Sequence, residues 1–139
     1  MRLAVDSSAF AKRYIQEAGS DRIDDLLRDA SDLAFSVILV PELISGLNRL
    51  LREGALNEKN YREAKKQLLD DVHDATVLQL TPSVISLSVK ILEGNPLRAM
   101  DALHVACAVE WKADLFATSD RKQLDAALNS GLRAEYIGG

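Results

Sequence analysis

Residues 3–18 read Leu-Ala-Val-Asp-Ser-Ser-Ala-Phe-Ala-Lys-Arg-Tyr-Ile-Gln-Glu-Ala. The apolar run Leu3 to Val5 is too short for a helix and predicts a buried strand, while Ala9 to Ala18 predicts a helix capped by Ser7 or Ser8 and stopped by Gly19. A strand that turns within a few residues into a helix is half of a crossover, and strands need crossovers to become parallel neighbours. Whether the rest of the chain repeats that alternation decides the fold.

It does repeat. Ser20 precedes a helical pattern over Asp21 to Ala30 with Ile23, Leu26 and Leu27 inward, and Leu33 to Phe35 reads as a second strand. After Ser36 a long apolar helix runs through Pro41 to Glu53 and ends at Gly54; Pro41 disturbs its first turns. A charge-laced helix follows over Asn57 to His73, with Tyr61, Ala64, Leu68 and Leu69 inward, and then a strand over Thr76 to Leu80. Thr81-Pro82, a cap followed by proline at the first helical position, opens a helix to Leu92 that Gly94-Asn95-Pro96 stops. The next helix spans Leu97 to Lys112, Arg121 to Asn129 is helical, and Leu115 to Thr118 and Ala134 to Ile137 are the last strands. Strands separated by helices predict a three-layer α/β/α domain with a mainly parallel central sheet, and residues 1–139 form one such domain.

Composition agrees with a packed fold. Apolar residues make up 47% and charged residues 27% of the chain, away from the disordered regime. Cys107 is the only cysteine, so neither an internal disulfide nor the Cys/His pattern of a zinc site is available. The N-terminus reaches a charge before a signal-peptide core forms, and no apolar stretch approaches the ~20 residues of a membrane span; a soluble, cytoplasmic protein is expected, with no membrane partner.

Four of the 21 acidic residues interrupt segments whose neighbours are apolar: Asp6 after the first strand, Glu42 between Pro41 and Leu43, Asp101 within Ala-Met-Asp-Ala-Leu-His-Val-Ala-Cys-Ala-Val (99–109), and Asp120 in Thr-Ser-Asp. Each has an ordinary reading. Asp6 and Asp120 stand where helix caps stand, Glu42 where a helix dipole favours a carboxylate, and Asp101 three residues before His104, with which it could form a buried pair. Together they ask for more. Two carboxylates ~5 Å apart at an effective dielectric near 20 repel by ~3 kcal/mol, and four such groups contain several pairs. A divalent cation relieves that repulsion, and hard oxygen ligands select Mg²⁺ or Mn²⁺ over zinc. Asp6 and Asp120 both follow the carboxyl ends of strands, the edge where ligands bind in parallel sheets. Setting the four acids aside removes the whole net charge of −4, so attraction for a polyanion is expected to be local and made by the metal.

Other residues carry weaker signals. Asp24, Asp25, Asp29, Asp70, Asp71 and Asp74 lie on polar helix faces and read as solvated surface, as does His73. Tyr14 and Trp111 could stack on bases but are more simply core or rim. Arg13, Arg98, Arg121 and Lys122 flank the proposed cleft as phosphate contacts.

The ordered set Ala-Val-Asp-Ser-Ser-Ala-Phe-Ala-Lys-Arg-Tyr at the start, Pro-Glu-Leu at 41–43, Leu-Arg-Ala-Met-Asp-Ala-Leu-His-Val-Ala at 97–106 and Ala-Thr-Ser-Asp at 117–120 resembles the PIN domain, and most closely the VapC toxins of type II toxin–antitoxin systems. The resemblance covers essentially the whole chain. It implies an endoribonuclease in which Asp6, Glu42, Asp101 and Asp120 match the catalytic, metal-holding acidic quartet. Thr118 matches the hydroxyl residue that often supports it, and Ser7 is counted beside Thr118. It also implies Mg²⁺ or Mn²⁺ as cofactor, a homodimer, and a cognate antitoxin whose tail covers the cleft. Proline before Glu42 is the one local departure.

The expected chemistry is phosphodiester hydrolysis by water, leaving a 5′-phosphate and a 3′-hydroxyl, so that preference for RNA arises in binding. The alternative is a metal-free RNA-binding or regulatory module on the same fold. A phosphohydrolase using Asp6 as covalent nucleophile, of the haloacid-dehalogenase type, wants a second aspartate where Ser8 stands. A metal-free nuclease built on His73 and His104 asks two residues of very different surroundings to form a pair.

Overall fold

The computed structural model describes residues 1–138. Five strands, β1 (Arg2–Val5), β2 (Asp32–Ser36), β3 (Thr76–Leu78), β4 (Leu115–Thr118) and β5 (Ala134–Tyr136), form one sheet in the order β3-β2-β1-β4-β5, and every pairing is parallel. The helices are α1 (Ser7–Phe10), α2 (Ser20–Asp29), α3 (Leu39–Arg52), α4 (Glu58–Asp74), α5 (Pro82–Gly94), α6 (Ala99–Trp111) and α7 (Arg121–Asn129). The sheet is thus wholly parallel where a mainly parallel one is expected from the sequence.

Side-chain alternation along the central strands divides the core into two layers. In β1, Leu3 and Val5 join one cluster with Phe10, Ile23, Phe35, Leu39 and Leu68, while Ala4 faces a second with Val84, Ile91, Val105 and Ala106. In β4, Ala117 belongs to the first cluster and Phe116 to the second. One layer therefore carries residues of α1 to α4 and the other of α5 to α7, the three-layer α/β/α arrangement. Buried Ala4, Ala102 and Ala106 leave room for α6 to lie close to the sheet, which explains a helix apolar on nearly every side. Among the described residues no helix is long and apolar enough to cross a membrane.

The start of the chain differs from its sequence reading. Instead of one helix over 9–18 there is the single turn α1, begun by Asp6 rather than by Ser7 or Ser8, and then a 3-10 turn over Ala11–Arg13. Tertiary bonds end the helix early: Arg13 and Tyr14 both donate to Asp71 of α4, and Lys12 Nζ donates to the Ala18 carbonyl at 2.8 Å. Asp71 is accordingly half-buried and bonded, a correction to its reading as solvated surface. Ser20 does not cap α2 but is its first helical residue, with Oγ accepting from Glu17 N–H; left-handed Gly19 stands at the cap position. Leu69, expected inward, is 48% exposed because α4 turns only Ala64 and Leu68 fully to the core. Pro41 leaves α3 undisturbed, since at the third helical position it removes an N–H that has no intrahelical partner.

Gly19 has φ +96°, and a Cβ there would lie 2.9 Å from Ile137 Cγ2 and 3.0 Å from the Gly138 nitrogen. Gly19→Ala is expected to lower unfolding stability by ~1–3 kcal/mol. Gly46→Ala, inside α3 with no atom within 4 Å, should raise it by ~0.5–1 kcal/mol; urea unfolding midpoints of the two variants check both signs.

Candidate active site

From β1 the chain moves outward through β2 and β3 and then returns to the other side of β1 as β4. The strand order therefore switches direction between β1 and β4, and the crevice beyond their carboxyl ends is where such sheets bind ligands. Asp6 follows β1 and is the N-cap of α1; Asp120 lies two residues beyond β4 and is the N-cap of α7. Glu42 and Asp101 stand in the first turns of α3 and α6. All four side chains line one cavity of ≈ 520 Å³, together with Ser7, Ser8, Arg49, Arg98 and Gln123. Each acid sits at the positive end of a helix, where a negative charge is favoured.

Hydrogen bonds fix the four in distinct ways. Asp6 is fully buried; its Oδ1 accepts from Ala9 N–H at 3.0 Å and its Oδ2 from Ser8 Oγ at 2.6 Å and Thr118 Oγ1 at 2.9 Å. Thr118 Oγ1 also accepts from Asp120 N–H at 3.0 Å, so one buried hydroxyl ties the first acid to the backbone of the last. Asp120 Oδ1 accepts from the N–H groups of Lys122 and Gln123, at 2.8 and 3.4 Å. Asp101 Oδ1 accepts from Gln123 Nε2 at 3.1 Å, and Arg98 Nε lies 3.8 Å from Asp101 Oδ2. Glu42 Oε1 accepts from Ser7 Oγ at 2.9 Å and is bound by His104 Nε2. The ordinary reading of Asp101, a buried pair with His104, is thus not what the structure makes: His104 turns to Glu42.

Burial drives the electrostatics. Desolvation raises the Asp6 carboxyl above the ordinary aspartate range, against the charge of His104 and hydrogen bonds from Ser8, Ala9 and Thr118. Asp101 is raised as well, by burial first and then by repulsion from Asp120, with Arg98 and His104 opposing. For Glu42 burial acts upward, but the hydrogen bond and charge of His104, with Ser7 and Arg98, outweigh it and leave the group below the usual glutamate range. His104 thus acts on three of the four acids, Asp6, Glu42 and Asp101.

In donor chemistry these residues fit a hard divalent cation: the lining supplies carboxylates and hydroxyls, and Cys107 is buried in the core behind them. Glu42, Asp101 and Asp120 each commit one oxygen to protein donors and leave the other without a hydrogen bond among the described residues. The side chains do not close into a finished cage, however. Among the described residues no three His, Cys, Asp or Glu side chains gather tightly enough to hold a metal ion as they stand.

The flanking residues divide. Arg98 lies at the mouth with its side chain 91% exposed, and Arg121 and Lys122 line an adjoining cavity that shares Asp101 and Asp120 with the first. Arg121 also stacks on Tyr136, 3.8 Å from the ring centroid. Arg13 does not flank the cleft: its bond to Asp71 holds it against a separate cavity lined by Asp24, Leu27 and Arg28. Tyr14 is held edge-on to Phe10 and Trp111 lies under Arg2, both outside the cleft lining. Sequence reasoning missed Gln123, Arg49, the Ser8 bridge and the Glu42–His104 contact. Only Gln123 had a signal, since Asp120-Arg-Lys-Gln123 has the spacing of a capping box.

The fold and the site define a class, a parallel α/β domain in which four acids meet beyond the switch point of the sheet. Residues 3–128 match the PIN domain family model, and the chain belongs to the PIN domain family. No curated protein sequence matches it. Among solved structures it is similar to the VapBC2 complex of Rickettsia felis bound to a promoter DNA fragment, with 15% identity, 98% of each chain covered and a TM-score of 0.68. It is also similar to DNA-bound VapBC of Salmonella typhimurium, with 14% identity, 99% of this chain and 98% of that one covered and a TM-score of 0.70. A third similarity is to VapC20 of Mycobacterium tuberculosis, described as a sarcin–ricin loop cleaving toxin, with 16% identity, 89% and 94% covered and a TM-score of 0.68. At these identities the likeness establishes the fold.

A carboxyl raised by folding binds its proton more tightly in the native than in the unfolded chain. Its stabilising contribution is complete below the ordinary aspartate range and is lost as pH rises through the raised value. Asp6 and Asp101 should therefore make the protein in EDTA less stable as pH climbs from ~4 toward neutrality, while Glu42, shifted downward, contributes in the opposite sense, losing stability as pH falls. Asp101→Asn is expected to flatten the slope and raise neutral-pH stability by up to ~1 kcal/mol. Thermal unfolding between pH 4.5 and 8 checks it, and a steeper slope in the variant would contradict the assignment.

Proposed function

We propose that this PIN domain is a Mg²⁺- or Mn²⁺-dependent endoribonuclease, the toxin of a toxin–antitoxin pair. The observation that carries the reading is the meeting of Asp6, Glu42, Asp101 and Asp120 around one open cleft at the switch point of a PIN sheet. The fold shared with VapBC proteins supports it, including one described as cleaving the sarcin–ricin loop.

On this reading Glu42, Asp101 and Asp120 would hold the cation through the oxygens that protein donors leave free, and Asp6, whose two oxygens already accept from Ser8, Ala9 and Thr118, would join them through a remaining lone pair. When bound, the ion supplies Lewis-acid polarisation of the scissile phosphate and acidifies a water ligand. The chain's own residues do the rest. Arg98, exposed at the mouth, draws a phosphate toward the acids, and Arg121 and Lys122 hold the neighbouring phosphates of the strand through charge. Ser7, Ser8 and Thr118 keep Glu42 and Asp6 oriented through their hydroxyls, so the acids do not have to reorganise when substrate enters. Water is the nucleophile, with a 5′-phosphate and a 3′-hydroxyl as products, and the choice of RNA lies in binding. A cognate antitoxin, a homodimer and residence in the cytoplasm belong to the same reading. Exposed Ile85, Val89 and Leu92, recurring on one stripe of α5, supply apolar surface for such partners.

Asp101→Asn should reduce Mn²⁺-dependent cleavage of total RNA by at least about a hundredfold while the protein stays folded, and Asp24→Asn should cleave as the parent does. Cleavage that persists in EDTA, or RNA binding without any cleavage, would favour the metal-free module instead. Arg98→Ala should weaken RNA binding and lower the slope of log affinity against log salt by ~1, measured by filter binding in EDTA.

A further inference from the structure

We propose that His104 is a positioning residue that orients Glu42 toward the cation, a role that rests on the metal-dependent reading above. Both protein hydrogen bonds to Glu42, from Ser7 Oγ and from His104 Nε2, fall on Oε1, so a single oxygen, Oε2, is left to face the cleft. Of the four acids Glu42 needs this most. Asp6 and Asp120 are pinned by backbone N–H groups of the helices they cap, and Asp101 by Gln123, whereas the glutamate carries an additional rotatable bond and has no backbone donor. His104 is 2% exposed and stands three residues beyond Asp101 on α6. One helix thus presents a ligand of its own and clamps a second ligand that belongs to α3, 62 residues away.

The ring's other nitrogen makes the case independently. His104 Nδ1 is buried without a hydrogen-bond partner. A side chain kept only to fill the core would do better as leucine, because a buried polar atom left unpaired costs stability. Among the described residues the one polar tie that the imidazole makes is to Glu42, and holding that carboxylate is what a histidine does here and a leucine does not. Outer-sphere partners of this kind usually change metal affinity by about 10- to 100-fold when removed.

The test uses the full chain with Mn²⁺ alone as probe, by calorimetric titration, beside thermal unfolding in EDTA. His104→Leu should stay folded without metal, at a lower unfolding temperature than the parent because Glu42 loses a partner, and bind Mn²⁺ about 10- to 100-fold more weakly. His104→Gln, whose amide can still donate to Glu42, should recover part of the affinity. Parental Mn²⁺ affinity in His104→Leu overturns the proposal. If that variant does not fold, His104→Asn, too short to reach Glu42, is compared with His104→Gln, and equal affinities overturn it. A parent protein that binds no Mn²⁺ brings down the metal-dependent reading itself and the clamp with it, so the two failures are told apart.

Discussion

Four negative charges brought to one end of a parallel sheet are the constraint around which this fold is arranged. Left unrelieved, they would repel each other by several kcal/mol, a large part of the roughly 5–15 kcal/mol that holds a domain of this size together. The structure relieves them piecemeal. Each acid is set at the start of a helix, so that the helix dipole and, for Asp6 and Asp120, capping N–H groups face it. Thr118, Ser8, Ser7 and Gln123 supply further donors, and His104 bonds to Glu42 among them. No single partner neutralises the cluster, and the burial that raises Asp6 and Asp101 marks what is left over.

That arrangement explains why residues with ordinary structural duties also make the site. Asp6 and Asp120 are helix caps, as their sequence positions allow, and they line the cleft as well. The two roles coincide because the strand-to-helix turns that need caps are the turns that meet at the switch point of the sheet. A capping carboxylate can bind N–H groups through one oxygen and leave the other without a hydrogen bond among the described residues, as Asp120 does.

Much of the architecture could be read from the chain because its signals are local. Thr81-Pro82 fixes the start of α5, Asn57 caps α4, and the helix over Arg121–Asn129 has the bounds its pattern predicts. The four acids stand out for the same reason, each being a charge among apolar neighbours. What could not be read depends on contacts between distant segments. Nothing near Arg13 announces Asp71, 58 residues on, yet that bond shortens the first helix and removes an arginine from the cleft. Nothing near His104 announces Glu42, whereas Asp101, three residues earlier on the same helix face, is close in sequence and is not its partner. Spacing along a helix shows which residues share a face; it does not show which of them a neighbouring helix claims.

The sheet also ends abruptly on both sides. Its outermost strands, β3 and β5, are three residues each, and Glu135 of β5 is gripped by Arg22 of α2 with bonds of 2.5 and 2.8 Å. So little open backbone, guarded on one flank by an ion pair, gives a stray strand almost nothing to dock on. The molecule thereby offers little foothold for amyloid-like, edge-to-edge growth of its β-ladder.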